Sequence, residues 1–160
     1  MERQDSVTPE GDPMTALGHD RALLLREATR LGGTVFARRH SDLFDRALSQ
    51  IWDGALRSFE GSPEPLALVA LGGYGRRELC PYSDIDLMVL HWESKSSKTA
   101  SVSEAVFYPL WNAGFDVGHA ARSVKDCVAL ASEEVAIRSI FPQEIETYDP
   151  YDGVVRVWQN

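Results

Sequence analysis

The stretch Leu71 to Leu90, LGGYGRRELCPYSDIDLMVL, decides the fold. A continuous apolar run, LALVAL over Leu66 to Leu71, leads into it and suits a buried strand. Gly72 and Gly73 follow at once. Without Cβ atoms the backbone can turn sharply there and let a phosphate approach the amides. Asp84 to Leu90, DIDLMVL, reads as a second buried strand that opens on two acids. Residues two apart on a strand share a face, so Asp84 and Asp86 point together while Ile85 points into the core. Adjacent unpaired carboxylates raise each other's pKa, and a hard cation such as Mg²⁺ relieves the repulsion. A bare Asp-x-Asp is commonly two solvated acids, but acids leading into a fully apolar strand fit that account poorly. Ten residues separate Gly73 from Asp84, enough to leave one strand, pass over its end and return along a neighbour. The glycine loop and the acid pair then face one cleft. Arg76 and Arg77 lie on the connecting loop, where they could meet phosphate or pair with Glu78 or Asp84.

Working outward, residues 1–13 mix Pro9, Gly11 and Pro13 with charges and read as a disordered leader. An N-terminal helical segment follows over 14–60. It comprises a helix from Met14 to about Arg30, stopped by Gly32 and Gly33, and a longer one from Thr34 to about Phe59. Val35, Leu43, Phe44, Leu48, Ile51, Trp52 and Leu56 recur along the second at three- and four-residue steps, as one buried stripe. The core is expected over 61–141. Beyond the two strands it holds a Ser/Lys-rich loop at Glu93 to Thr99 and a helix over Ser101 to Trp111. Pro109 is awkward inside that helix. A third strand is expected over Phe115 to Ala121. Ser123 opens a further helix with Asp126 as its capping-box partner, running to about Ile140 before Pro142. A divergent tail, 142–160, ends in the strand-like VVRVW.

The chain has 160 residues, is 44% apolar and carries a net charge of -8. That length suits one compact domain, and the charge argues against a broad nucleic-acid surface, which needs clustered Lys and Arg. A mononucleotide is still allowed, because a metal ion can neutralise its phosphates locally. No apolar run approaches the roughly 20 residues of a membrane span, and the N-terminus lacks signal-peptide character, so the expected location is cytoplasmic, without membrane partners. Cys80 and Cys127 form no CxxC and have no His at zinc-site spacing; they read as reduced thiols.

The segment's pattern, a hydrophobic residue, Gly-Gly, a spacer of about a dozen residues and Asp-x-Asp on a strand, resembles the DNA-polymerase-β-type nucleotidyltransferase superfamily. More narrowly, GGYGRRELCPYSDIDLMVL resembles the N-terminal domain of bacterial protein-PII uridylyltransferases, bifunctional enzymes that also remove uridylyl groups. YPLWNAGFDVGHAAR, Tyr108 to Arg122, and SVKDCVALASEEVAIRS after it extend the likeness over roughly residues 34–140. The resemblance implies an α+β fold: a small mixed sheet of LALVAL, DIDLMVL and FDVGHAA with helices packed on one side. It implies Mg²⁺-dependent transfer of UMP from UTP to a tyrosine of a PII signalling protein, in nitrogen regulation, with release of pyrophosphate. Carried over by position, Gly72 and Gly73 would cradle the triphosphate, with Arg76 and Ser83 as further nucleotide-binding candidates. Asp84 and Asp86 would ligate metal, and Asp116 in FDVGH is the candidate third carboxylate, catalytic and metal-ligating with them. His119 reads as structural, and Arg122 is a weaker candidate for neutralising phosphate.

The family's complete enzymes are several times longer, with an HD phosphohydrolase domain and two ACT domains. Here the dipeptide His19-Asp20 has no accompanying His and Asp set, so uridylyl removal and glutamine sensing are not expected. The tail from Phe141 also departs from the family. The alternative reading is therefore a truncated or degenerate domain that binds nucleotide or a partner without turnover. A DxD glycosyltransferase using a nucleotide sugar would share the acid pair, but the GGYGR loop at fixed spacing disfavours it.

Overall fold

The computed structural model describes residues 11–58, 65–92, 97–131 and 157–159. Most of the expected leader, the helix beyond Ala131 and most of the tail lie outside these residues.

The chain begins with α1 (Pro13–Glu27), whose first turn is capped by the Asp12 carboxylate accepting from the Thr15 amide. Pro13 suits this position, where the missing N–H is not needed. Next comes α2 (Gly33–Arg57). Phe36, Phe44, Leu48, Ile51, Trp52 and Ala55 form its buried stripe. Val35, expected in that stripe, is 47% exposed. At 100° per residue the buried face runs through 36, 40, 44 and 48, and Val35 falls beside it in the first turn.

The sheet contains β1 (Leu66–Ala70), β2 (Ile85–His91), β3 (Val117–Ser123) and β4 (Val157–Gln159), in the order β3-β2-β1-β4. β1 runs antiparallel to β2 and to β4, whereas β2 and β3 are parallel. A parallel pair needs a crossover, supplied by α4 (Ser97–Asn112). That helix starts earlier than its Ser/Lys-rich sequence suggests and accommodates Pro109 in its interior. Between β1 and β2 the sharp turn expected at the glycines is a single helical turn, α3 (Gly72–Gly75). α5 (Val124–Ala131) follows β3. Its expected capping box is formed: the Ser123 hydroxyl accepts from the Asp126 amide and donates to the Asp126 carboxylate.

The fold is the α+β arrangement expected. Leu66, Leu68, Ala70, Ile85, Leu87 and Val89 meet Leu17 of α1, the α2 stripe, and Val102, Val106 and Leu110 of α4 in one core. On the opposite face Cys127 of α5 packs against Met88 and Val69. Cys127 is buried, Cys80 is exposed, and both are free thiols. No helix among the described residues is long and apolar enough to cross a membrane.

Candidate functional site

Alternation along β2 sends Ile85, Leu87 and Val89 into the main core and leaves Asp86 on the other face, half-buried. Asp84 precedes the strand and is exposed. Burial, and then the charge of Asp84, push the Asp86 carboxyl above its usual range. The two acids are thus electrostatic neighbours, as their spacing requires.

Asp86 lies between two glycines. Gly72 has a φ of +56°, and a Cβ built on it would come within 2.7 Å of Asp86 Oδ2. Gly118 is the register partner of Asp86 on β3, and a Cβ there would overlap Asp86 Oδ1 outright. The Leu71 amide donates to the Asp86 carbonyl at 2.9 Å, which ties the start of the glycine turn to the acid strand. Gly118 escapes sequence reasoning, because only the parallel register shows what it faces.

Asp116 is exposed and immediately precedes β3. Its carbonyl accepts from the Ile85 amide at 2.9 Å, and Ile85 pairs with Val117. Asp84 and Asp116 thus each directly precede the first residue pair of the β2–β3 ladder. The backbone therefore brings the three predicted acids to one end of one strand pair. Among the described residues, however, no group of three His, Cys, Asp or Glu side chains is gathered as a metal-holding cluster.

The other sequence candidates divide. Gly73 lies in α3, and Ser83 folds back so that its hydroxyl donates to the Cys80 carbonyl. Arg76 pairs with Glu78 at 3.0 Å on the exposed side of the loop. Arg77 pairs with Asp42 of α2, not with Asp84. His119 is exposed on β3, with its ring against Phe107 and Trp111 of α4. Arg122 is four residues beyond Gly118 on β3, roughly 13 Å along the strand, and so is remote from the acids.

A short span of α2 holds the loop between the glycines and the acids. Tyr74 donates its hydroxyl to Asp45 at 2.8 Å. The Leu79 amide donates to the Ser41 hydroxyl at 3.3 Å, and the His40 Nδ1–H donates to the Leu79 carbonyl at 3.0 Å. Arg21 of α1 donates to His40 Nε2 at 3.2 Å and to the Pro81 carbonyl at 2.6 Å. Arginine has only donors, so His40 Nε2 must accept and Nδ1 must carry the proton. Burial holds the His40 pKa below its ordinary value, with the Arg21 charge acting the same way, so this neutral tautomer is favoured.

The family described as "Putative nucleotidyltransferase DUF294" matches residues 22–125. The chain belongs to this nucleotidyltransferase family. The match covers all of α2 and the strand pair next to the acids, whereas Arg21 and most of α1 precede it. Curated relatives include the bifunctional uridylyltransferase/uridylyl-removing enzyme of Phenylobacterium zucineum, 40% identical over 68% of this chain and 12% of the relative. The enzyme of the same name from Caulobacter vibrioides is 47% identical over 67% of the chain and 12% of the relative. That of Ralstonia nicotianae is 29% identical over 99% of the chain and 18% of the relative. The chain thus spans only a minor part of the length of these relatives. Within this family the domain is a nucleotidyltransferase domain homologous to the uridylyltransferases.

Proposed function

We propose that the chain transfers UMP from UTP to a tyrosine hydroxyl of a PII-type signalling protein in the cytoplasm, with Mg²⁺ as cofactor. The observation that carries this reading is the Asp86 carboxylate wedged between Gly72 and Gly118 and coupled to Asp84. A half-buried acid beside a second acid is costly unless a cation answers it. Carboxylate oxygens are the donors Mg²⁺ prefers, so the residues fit the metal. Asp84 and Asp86 would hold it, with Asp116 as the third ligand. Bound Mg²⁺ would neutralise charge at the attacking and leaving oxygens of an in-line displacement.

The residues then divide the work. Gly72 and Gly73 have no side chains to keep a triphosphate away from the turn, so the phosphates can lie against the backbone near Asp86. Arg76 and Ser83, on the rim, are the polar groups assigned to the nucleotide. The tyrosine oxygen bonds to the α-phosphorus, the bond to the β-phosphate bridging oxygen breaks, and pyrophosphate departs. Asp116, directly before β3, is the carboxylate assigned to take the hydroxyl proton.

The test is pyrophosphate release from Mg²⁺-UTP with purified PII, for the wild type beside Asp84→Ala/Asp86→Ala. Release by the wild type alone supports the reading. A folded wild type that binds Mg²⁺-UTP but never releases pyrophosphate would replace it with a binding-only domain.

A further inference from the structure

We infer that Arg21 and His40 are positioning residues for the acid set, an inference that rests on the nucleotidyltransferase reading above. Neither side chain touches the acids. Each holds a segment from which an acid projects.

Arg21 donates to the carbonyl of Pro81, three residues before Asp84, and its guanidinium carbon lies 5.4 Å from the centre of the Phe115 ring, directly before Asp116. One side chain on α1 therefore contacts the segments leading to Asp84 and to Asp116. Its third contact, to His40, is what aims it. His40 in turn secures Leu79 on the same loop. Both loop carbonyls precede β2, so the sheet ladder does not hold them, and these side chains do.

Core packing alone does not call for this pair. His40 is 2% exposed, with its ring centre 5.6 Å from that of Phe36 and 5.1 Å from that of Phe44. A leucine would fill that space without the desolvation that a buried imidazole suffers. The imidazole instead offers a donor to the loop and an acceptor to Arg21 at the same time. Arg21 is the charged group that faces it. Phe36 and Phe44 on its own helix and the Leu79 carbonyl on the loop carry no charge. Protonation would turn Nε2 into a donor pointing at a guanidinium, and the joint would open. Since the folded His40 binds its proton less readily than the unfolded one, this hold is complete above about 6.5 and is lost as pH falls from there through the folded value.

The experiment compares wild type, His40→Leu, His40→Asn and Arg21→Met as full chains, with thermal unfolding to show that each folds. Two readouts are followed from pH 5 to 8: pyrophosphate release from Mg²⁺-UTP with PII, and the amide NMR signals of Leu79, Ser83 and Asp84. Asn keeps a donor for the Leu79 carbonyl but cannot be protonated. The expected result is a rate lowered about 10- to 100-fold in His40→Leu and Arg21→Met, mostly in kcat, with substantial recovery in His40→Asn. The wild-type loop amides should shift with the His40 titration, and that step should vanish in His40→Asn. Rates within about twofold of wild type in folded Arg21→Met and His40→Leu, or loop amides indifferent to both, would overturn the inference. If His40→Leu fails to fold, Arg21→Met decides. If the wild type turns over no nucleotide, the proposed function fails and the amide signals alone decide whether the joint positions the loop.

Discussion

Asp86 and Gly118 face each other across the parallel β2–β3 pair so closely that no side chain fits at position 118 while the carboxylate stays where it is. Gly118→Ala must therefore turn the Asp86 side chain away from its present position. The fold should survive, because β3 is half-exposed there and its φ is ordinary. Transfer should fall about 100-fold, as misplacing a reacting group does. Kinetics on the folded variant check this, and an unimpaired rate would remove Asp86 from the site.

Asp86→Asn should separate stability from function. The Asp86 pKa is raised on folding, so its ionisation costs stability as pH rises above 3.8 and through the folded value. Asn removes that cost. Its melting temperature should exceed that of the wild type at pH 7, by the equivalent of a fraction of about 1 kcal/mol after solvent screening, and match it near pH 3. Mg²⁺ at about 100 times its Kd should stabilise the wild type by about 2.7 kcal/mol and the variant far less. Calorimetry with and without Mg²⁺ reads both effects.

Two glycines should respond oppositely to alanine. Gly54 lies inside α2 with nothing within 4 Å of the new methyl, so Gly54→Ala should gain about 0.5–1 kcal/mol. Gly72→Ala meets both a left-handed φ and Asp86 Oδ2, and should lose about 1–2 kcal/mol from the backbone alone. Denaturant midpoints distinguish the two, and only Gly72→Ala should affect turnover.

Tyr74 is 1% exposed, and burial raises its phenol pKa well above the ordinary value, so it stays a donor to Asp45. Tyr74→Phe should cost about 1 kcal/mol, the usual net value of one hydrogen bond. Chemical denaturation at pH 7 measures it.

The cap of α5 should be acid-sensitive. Hydrogen bonds from Ser123 hold the Asp126 carboxyl below its ordinary range, so their contribution is present above 3.8 and disappears as pH falls through the folded value. Ser123→Ala should lower stability at pH 7 and flatten that acid dependence. Unfolding curves at pH 7 and pH 3 supply the comparison.

Much of this arrangement is legible in the sequence. LALVAL and DIDLMVL are apolar runs of strand length, and the face shared by Asp84 and Asp86 follows from a period of two. What escapes is whatever depends on register between distant segments. Nothing near Gly118 in the chain reveals the carboxylate it must leave room for. The helical form of the turn over Gly72–Gly75 also escapes, since glycine has poor helix propensity and tertiary context forms it. His40 does leave a signal in the sequence. It interrupts the run Phe36, His40, Phe44, Leu48 on the buried face of α2, and a polar residue there must find partners.

The fastening of residues 74–81 to α2 and α1 has a consequence for where this unit can be cut. A chain begun at residue 61 would keep both central strands and the three candidate site acids, yet it would lose the anchors at Arg21, His40, Ser41, Asp42 and Asp45. It would also leave α4 alone to cover the apolar underside of the sheet, which α1 and α2 share with it. The N-terminal helices are the foundation on which the acid-bearing strands are levelled, and the smallest piece expected to work on its own begins with them.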